Sequence, residues 1–360
     1  MRAAMWYAKG DVRVVDVPEP RVKPGCVKIR VKWCGICGSD IGEYAAGPIS
    51  IPVGVPHPIT GDTAPVILGH ELSGEVVEIG EGVSKFKVGD RVVTEATVAC
   101  LQCPACLSGE FNLCETLGIH GISGGGGGFA EYTVFPEKFT HKIPDNLDYE
   151  RAALVEPIAV GFHSLRVGGR FKTGMTAVVM GAGPIGLGVI ECLKASGARK
   201  IIAVVRKSVR QEYAMRSGAD HLIDPEEIPD IASAVKGLNG GLGADIAFET
   251  YGAAVGLELG LQSLKFDGTL VVISLWGENP PINAIEIVLR EKHVIGSAIY
   301  HGNDFLSVLK MLEDGRIPAK GYITKRIYLD DIVKEGFETL LSEERKQHVK
   351  IIVTPDRSLL

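Results

Sequence analysis

Ala177-Val178-Val179-Met180-Gly181-Ala182-Gly183-Pro184-Ile185-Gly186 carries an apolar run into a G-x-G-x-x-G turn, and Ile185 to Ser196 continues with helical periodicity. In a chain with 45 glycines the motif alone is a weak signal. Between a strand and a helix it gains a physical role. Gly181, Gly183, Pro184, Ile185 and Gly186 can admit a pyrophosphate against the helix N-terminus, where free N–H groups and the dipole favour an anion. Further apolar strands at Ile201 to Val205, His221 to Ile223, Asp245 to Glu249, Thr269 to Leu275 and Val294 to Ile299 alternate with helical stretches. That order builds βαβ units, so residues 156–299 read as a doubly wound, parallel-sheet α/β domain of Rossmann type that binds a dinucleotide.

The end of the second strand bears on which dinucleotide. About twenty residues after the glycines an NAD site presents Asp or Glu to the ribose 2′-hydroxyl. Here the residue is Val205, followed by Arg206, Lys207 and then Arg210. Guanidinium and ammonium groups suit a 2′-phosphate, so NADP(H) is expected in preference to NAD(H). A solvated basic loop is the competing reading.

The first half of the chain is different in texture. Val27 to Lys32 alternates apolar and polar residues, as a half-buried strand does, and similar short strands are expected at Arg2 to Tyr7, Val12 to Val15, Leu72 to Ile79, Arg91 to Thr94 and Ala130 to Val134. Short strands joined by turns suggest a barrel-like β domain over 1–155, and Val349 to Val353 is a strand that would return to it. The dinucleotide fold is then an insertion, 300–360 belongs with the first part, and a cleft between the two domains would hold the chemistry. Tyr149 to Val167 reads as a helix at the junction. The loop from Tyr44 to Val66, studded with Pro and Gly, leads into Gly69-His70-Glu71 and is expected to wall the active site. His57, between two prolines in it, is expected to be a solvated turn residue rather than a ligand.

Cys34-Gly35-Ile36-Cys37-Gly38-Ser39-Asp40 supplies thiolate, hydroxyl and carboxylate within a few residues. With His70 and a carboxylate from Glu71 or Glu156 it gives a Cys/His/Glu set that suits zinc, which keeps a fourth position open when it is catalytic. Taken singly, Cys37 and His70 are more often buried structural residues; it is the combination that carries the reading. Ser39 would pass a proton. Separately, Cys100, Cys103, Cys106 and Cys114, within a lobe spanning 95–116, have the spacing to enclose one ion tetrahedrally, and with no water position left such a zinc is structural. Gly124 to Gly128 must allow a close approach or an unusual turn, with a mobile linker as the competing reading.

Composition limits the alternatives. The chain has 360 residues, enough for two domains, with 46% apolar and 23% charged residues, as in ordinary globular proteins. A net charge of −6 argues against a general nucleic-acid or anionic-membrane binder. Met1 to Gly10 has no long apolar run, and the most apolar window, Ala177 to Leu193, is interrupted and too short to span a bilayer. A cytoplasmic location is expected. There the eight cysteines would be ligands or reduced thiols rather than disulfides.

In this order the motifs resemble the zinc-dependent medium-chain alcohol dehydrogenases over essentially the whole length. Within that family the loop Pro56 to Pro65 and the segment His120 to Phe129 are most similar to 2,3-butanediol (acetoin) dehydrogenases, with sorbitol and other polyol dehydrogenases next. The resemblance implies a GroES-like catalytic domain, catalytic zinc on Cys37, His70 and Glu156, with Glu71 near the metal and able to exchange with a ligand, and structural zinc on the four cysteines. It also implies homodimers or homotetramers. In the mechanism that follows, zinc activates the alcohol, Ser39 takes its proton, hydride passes to the nicotinamide, and Asp40 orients His70. Where many relatives place a proton-relaying His, this chain has Gly42. A metal-independent quinone-reductase-like or crystallin-like protein is the alternative, and a zinc-ribbon nucleic-acid binder a more distant one.

Overall fold

The computed structural model describes every residue except Glu278 and Lys320. Its residues form two compact units: Met1–Glu156, His301–Glu313 and Ile323–Leu360 make the first, and Pro157–Tyr300 with Asp314–Tyr322 the second.

In the first unit the alternating run belongs to the strand Cys26–Gly35, central in a seven-stranded sheet. This strand pairs antiparallel with Glu71–Ile79, with Tyr132–Pro136 and with the late strand Lys350–Thr354. Val27, Ile29 and Val31 are fully buried and join Trp6, Leu68, Leu72, Phe129 and Phe135 in one core. Each such side chain contributes about 1.5–3 kcal/mol by leaving water. A slip of one residue would turn that face outward, so the core fixes the register, and the register sets Gly35 opposite Glu71.

Past this strand the chain turns into the helix Gly38–Ala46, which the sequence reading did not anticipate. Cys37 is its N-cap, and Asp40 Oδ2 accepts the Cys37 N–H at 2.9 Å, so a cysteine fills the role Ser or Thr has in a capping box. The long loop that follows is held at both ends. Buried Glu43 accepts N–H bonds from Ile49, Ser50 and Ile51, and Asp62 accepts one from Gly125 at 2.6 Å. A Cβ on Gly124, whose φ is 90°, would meet Asp62 at 2.5 Å. The glycine run is therefore a surface on which the loop closes, and not a linker. His57 is half-buried rather than solvated: its Nδ1 accepts N–H bonds from Ile59 and Thr60, and its ring lies against Gly118.

The second unit holds a six-stranded, wholly parallel sheet in the order His221–Ile223, Lys200–Val204, Thr176–Met180, Ala244–Glu249, Leu264–Val272, His293–Gly296. The order reverses beside Thr176–Met180, and ligands of such sheets bind outside the carboxyl ends at that reversal. The α/β class expected from the strand and helix alternation is what the chain adopts. Several boundaries differ. The helix expected from Tyr149 to Val167 breaks at Leu154 into Tyr149–Ala153 and Val155–Arg166, the fifth strand starts earlier, and the sixth stops at Gly296. Among the described residues no helix is long and apolar enough to cross a membrane.

Candidate active site

Cys37, His70 and Glu71 each bring one ligand atom within 4.8 Å of the others. Cys37 is delivered by the helix cap, and His70 and Glu71 by the start of the strand Glu71–Ile79. Gly69, at φ 96°, makes the turn before them; a Cβ there would strike Phe129 at 2.8 Å.

Buried His70 faces two polar groups. Its Nδ1 lies 3.6 Å from Asp40 Oδ1, and its Nε2 lies 3.3 Å from Ser39 Oγ. Burial opposes a charged ring, but Asp40, Cys37 and Glu156 together outweigh it and push the imidazole well above its usual range. Burial likewise pushes the Asp40 carboxyl up to about 6, with the charge of His70 pulling the other way. Asp40 Oδ1 and His70 Nδ1 are both buried without a hydrogen-bond partner. That pair fits a site completed by a metal: a His bound through Nε2 keeps its proton on Nδ1 for an orienting carboxylate. Thiolate, imidazole and carboxylate together are a zinc donor set.

Glu156, second residue of Val155–Arg166, is buried, and its charge acts on both His70 and Lys350. The tight cluster among the described residues contains Glu71 in its place. Glu71 is not free: Lys350 Nζ donates to its two oxygens at 2.7 and 2.6 Å. The sequence reading missed Lys350. The available signal was a lone lysine in the apolar run Val349 to Val353.

The four cysteines also meet. Their sulfur atoms all lie within 4.8 Å of one another, Cys100 and Cys106 at 3.9 Å, and none is in a disulfide. Backbone N–H groups of Gln102 and Cys103 hold the Cys100 thiol down to about 6, while burial and the neighbouring sulfurs push Cys106 up to about 12, so the set shares its protons unequally until a metal takes their place. Four converging sulfurs leave no place for water, as in a structural zinc site.

In the second unit the glycine motif lies where a strand enters a helix. Gly181 has φ 104°, a Cβ on Gly186 would sit 2.2 Å from the Gly181 carbonyl, and Gly183 caps Pro184–Ala195 with open space around it. Ile185 is in the first turn of that helix. An uncovered backbone at a helix N-terminus fits a pyrophosphate. Val205 is buried, while Arg206 is exposed, 3.7 Å from Glu226 and over the Tyr251 ring at 5.7 Å. Lys207 is exposed, and Ser208 caps the next helix by accepting the Arg210 N–H.

Residues 23–145 match the alcohol dehydrogenase GroES-like domain, and residues 184–314 match the zinc-binding dehydrogenase domain. The chain is 46% identical to an (R,R)-butanediol dehydrogenase of Bacillus subtilis (strain 168), over 99% of this chain and 100% of the relative. A sorbitol dehydrogenase of the same organism is 33% identical over 99% of this chain and 98% of its own length. The crystal structure of 2R,3R-butanediol dehydrogenase from Bacillus subtilis superposes with a TM-score of 0.91 at 45% identity, covering 99% of both chains. With both domain models matched in order and the similarity running from end to end, the chain belongs to the zinc-binding, GroES-like alcohol dehydrogenase family.

Proposed function

We propose that this enzyme interconverts acetoin and (R,R)- or meso-2,3-butanediol with NADP(H), using zinc held by Cys37, His70 and Glu156. The observation that carries the chemistry is the buried, unpartnered Asp40 Oδ1 and His70 Nδ1 beside Cys37. The substrate pair is supported by whole-length similarity to a protein of that name, which exceeds the similarity to the sorbitol dehydrogenase.

Bound zinc supplies Lewis acidity, lowering the pKa of an alcohol or polarising a ketone. The chain's own residues do the rest. Asp40 holds the His70 proton on Nδ1 and keeps Nε2 turned to Ser39 and the cluster. Ser39 takes the proton of the substrate hydroxyl in the oxidative direction and returns it in reduction. A bound nicotinamide cofactor would supply the hydride acceptor, so that alcohol and oxidised cofactor would give ketone, reduced cofactor and one proton. Gly42 offers no side chain to carry that proton onward. Gly181, Gly183 and Gly186 seat the pyrophosphate, and Arg206, Lys207 and Arg210 receive the 2′-phosphate.

Catalytic efficiencies measured side by side for acetoin, 2,3-butanediol, ethanol and sorbitol test this reading. The first two should lead. Preference for sorbitol would overturn the butanediol assignment and leave the enzyme class standing.

A further inference from the structure

A cavity of about 590 Å³ opens within the first unit, and none of the residues of either metal cluster lines it. Its size is that of a small-molecule site. Its walls come from the strand Thr140–Lys142 with Phe139 before it, from the short helix Phe111–Leu113 and from the first turns of Gly302–Glu313.

The floor holds a carboxylate. Glu95 is 3% exposed, and His141 Nε2 lies 2.7 Å from its Oε1. The backbone makes room for it: Thr94 pairs with Thr140, the Glu95 N–H donates to the Phe139 carbonyl at 2.9 Å, and a Cβ on Gly302 would stand 3.2 Å from Glu95 Oε1. The His141 ring stacks on Phe305 with centroids 5.1 Å apart, which fixes its orientation. A buried carboxylate with one imidazole partner adds little stability, so stability is a poor reason to keep this one on a cavity wall.

The rim has the opposite charge. Lys85 and Lys138 are exposed, and among the described residues neither ammonium has a carboxylate within ion-pair distance, whereas Lys142 is paired with Asp90 at 2.9 Å. The Lys138 ammonium stands 4.0 Å from the centre of the Phe111 ring, which packs edge-on against Phe139 at 5.6 Å. At an exposed site such a contact is weak, so the ammonium is free to take a stronger partner. The start of Gly302–Glu313 is not the place for an anion, because it is capped from within: Asp304 Oδ2 accepts the His301 N–H at 3.1 Å, and His301 Nδ1 accepts that of Asn303 at 3.3 Å.

The geometry points to a second small-molecule site, for an aromatic anion bearing a hydroxyl: the ring lies against Phe86 and Phe111, the anionic group meets Lys85 and Lys138, and the hydroxyl donates to Glu95. This goes beyond the alcohol–ketone reaction and does not depend on the zinc or cofactor assignments.

Calorimetry with zinc-loaded enzyme saturated with reduced cofactor tests it, with 4-hydroxybenzoate as the probe. The probe should titrate one site per chain. Acetate, which lacks the ring, and 4-hydroxybenzamide, which lacks the charge, should each bind at least about tenfold more weakly, and benzoate, which lacks the donor, about fivefold more weakly. Lys85→Ala/Lys138→Ala should weaken the probe about tenfold. Leu306→Glu, at an exposed position of the rim, should do the same by repulsion. Acetoin turnover without the probe should be unchanged in both variants, since none of the three residues belongs to the catalytic set. Absence of saturable binding, binding of any comparator as tight as that of the probe, or an unchanged isotherm in the double variant overturns the inference and leaves the enzyme's proposed reaction standing.

Discussion

Asp40 Oδ1 stands 3.6 Å from His70 Nδ1, and neither buried atom has a hydrogen-bond partner. The two face each other beyond hydrogen-bond distance, and buried polar atoms left unpaired cost stability. A metal at Nε2 would secure that tautomer. Asp40→Asn keeps an oxygen for the Cys37 N–H and removes the charge that faces His70. The labile zinc should bind about 10–100-fold more weakly, read by competition with a chelator, while the cysteine-bound ion stays. Unchanged affinity would remove Asp40 from the site.

The two clusters differ in how they would lose metal. Elemental analysis should find two zinc ions per chain, one removed readily by chelator and one not, because only the Cys100/Cys103/Cys106/Cys114 set is closed by protein. Cys37→Ser should lose the labile ion and the activity with the fold intact. Cys103→Ser should lower the thermal midpoint instead, since the lobe is organised around its ion. Like behaviour of the two variants would refute the division.

Much of this was legible in the residues. A strand, three glycines and a helix follow one another in the second unit because local periodicity decides them. The cysteine spacing was equally local. What escaped were relationships made by the sheet. Lys350 and Glu71 are 279 positions apart, and they meet only because Lys350–Thr354 and Glu71–Ile79 flank the same strand. No pattern within a window of ten or twenty residues contains that fact. The helix after Cys37 escaped for another reason: its cap is a cysteine, outside the Ser, Thr, Asp and Asn set that marks helix starts.

Glu191 gives the second unit a pH dependence. It is buried within Pro184–Ala195, and burial pushes its carboxyl up to about 7, against opposing contributions from Tyr322 and the Ala319 backbone. The unfolded chain releases that proton near the ordinary value of 4.5. Between the two values the folded state holds the extra proton, so this stabilisation is complete below about pH 4.5 and is lost as pH rises through about 7. The loss amounts to about 3 kcal/mol. Denaturant midpoints at pH 5 and pH 8 should therefore differ less in Glu191→Gln than in wild type; an identical difference would place the titration elsewhere.

Ile285, Val288 and Leu289 are 70%, 71% and 74% exposed, next to the sheet's edge strand His293–Gly296. An edge strand beside exposed apolar side chains would suit a second copy of the chain, in line with the homodimers or homotetramers that the family resemblance implies. Leu289→Glu combined with Val288→Glu should lower the mass measured by light scattering. A monomeric wild type would refute the assignment.

On the proposed reading the cofactor choice would turn on Arg206. An NAD site places a carboxylate on the ribose hydroxyls, and that carboxylate would repel a 2′-phosphate. Val205 does neither. Arg206 has Glu226 as its neighbour at 3.7 Å, with the two side chains 59% and 68% exposed, so the pair is weak and a phosphate can displace it. Charge-assisted bonds from Arg206 and Lys207 to a 2′-phosphate would contribute roughly 1.5–3 kcal/mol each, which would shift the NADP/NAD preference by about two to four orders of magnitude. Solvent and salt screen exposed groups, so the lower figure is the one expected, and it should shrink further at high ionic strength. Arg206→Ala/Lys207→Ala should cut kcat/KM for NADPH about a hundredfold and leave that for NADH nearly unchanged. Steady-state kinetics of the wild-type enzyme with each cofactor decide the matter. Efficiency with NADH equal to or above that with NADPH would make these cations surface charge and nothing more.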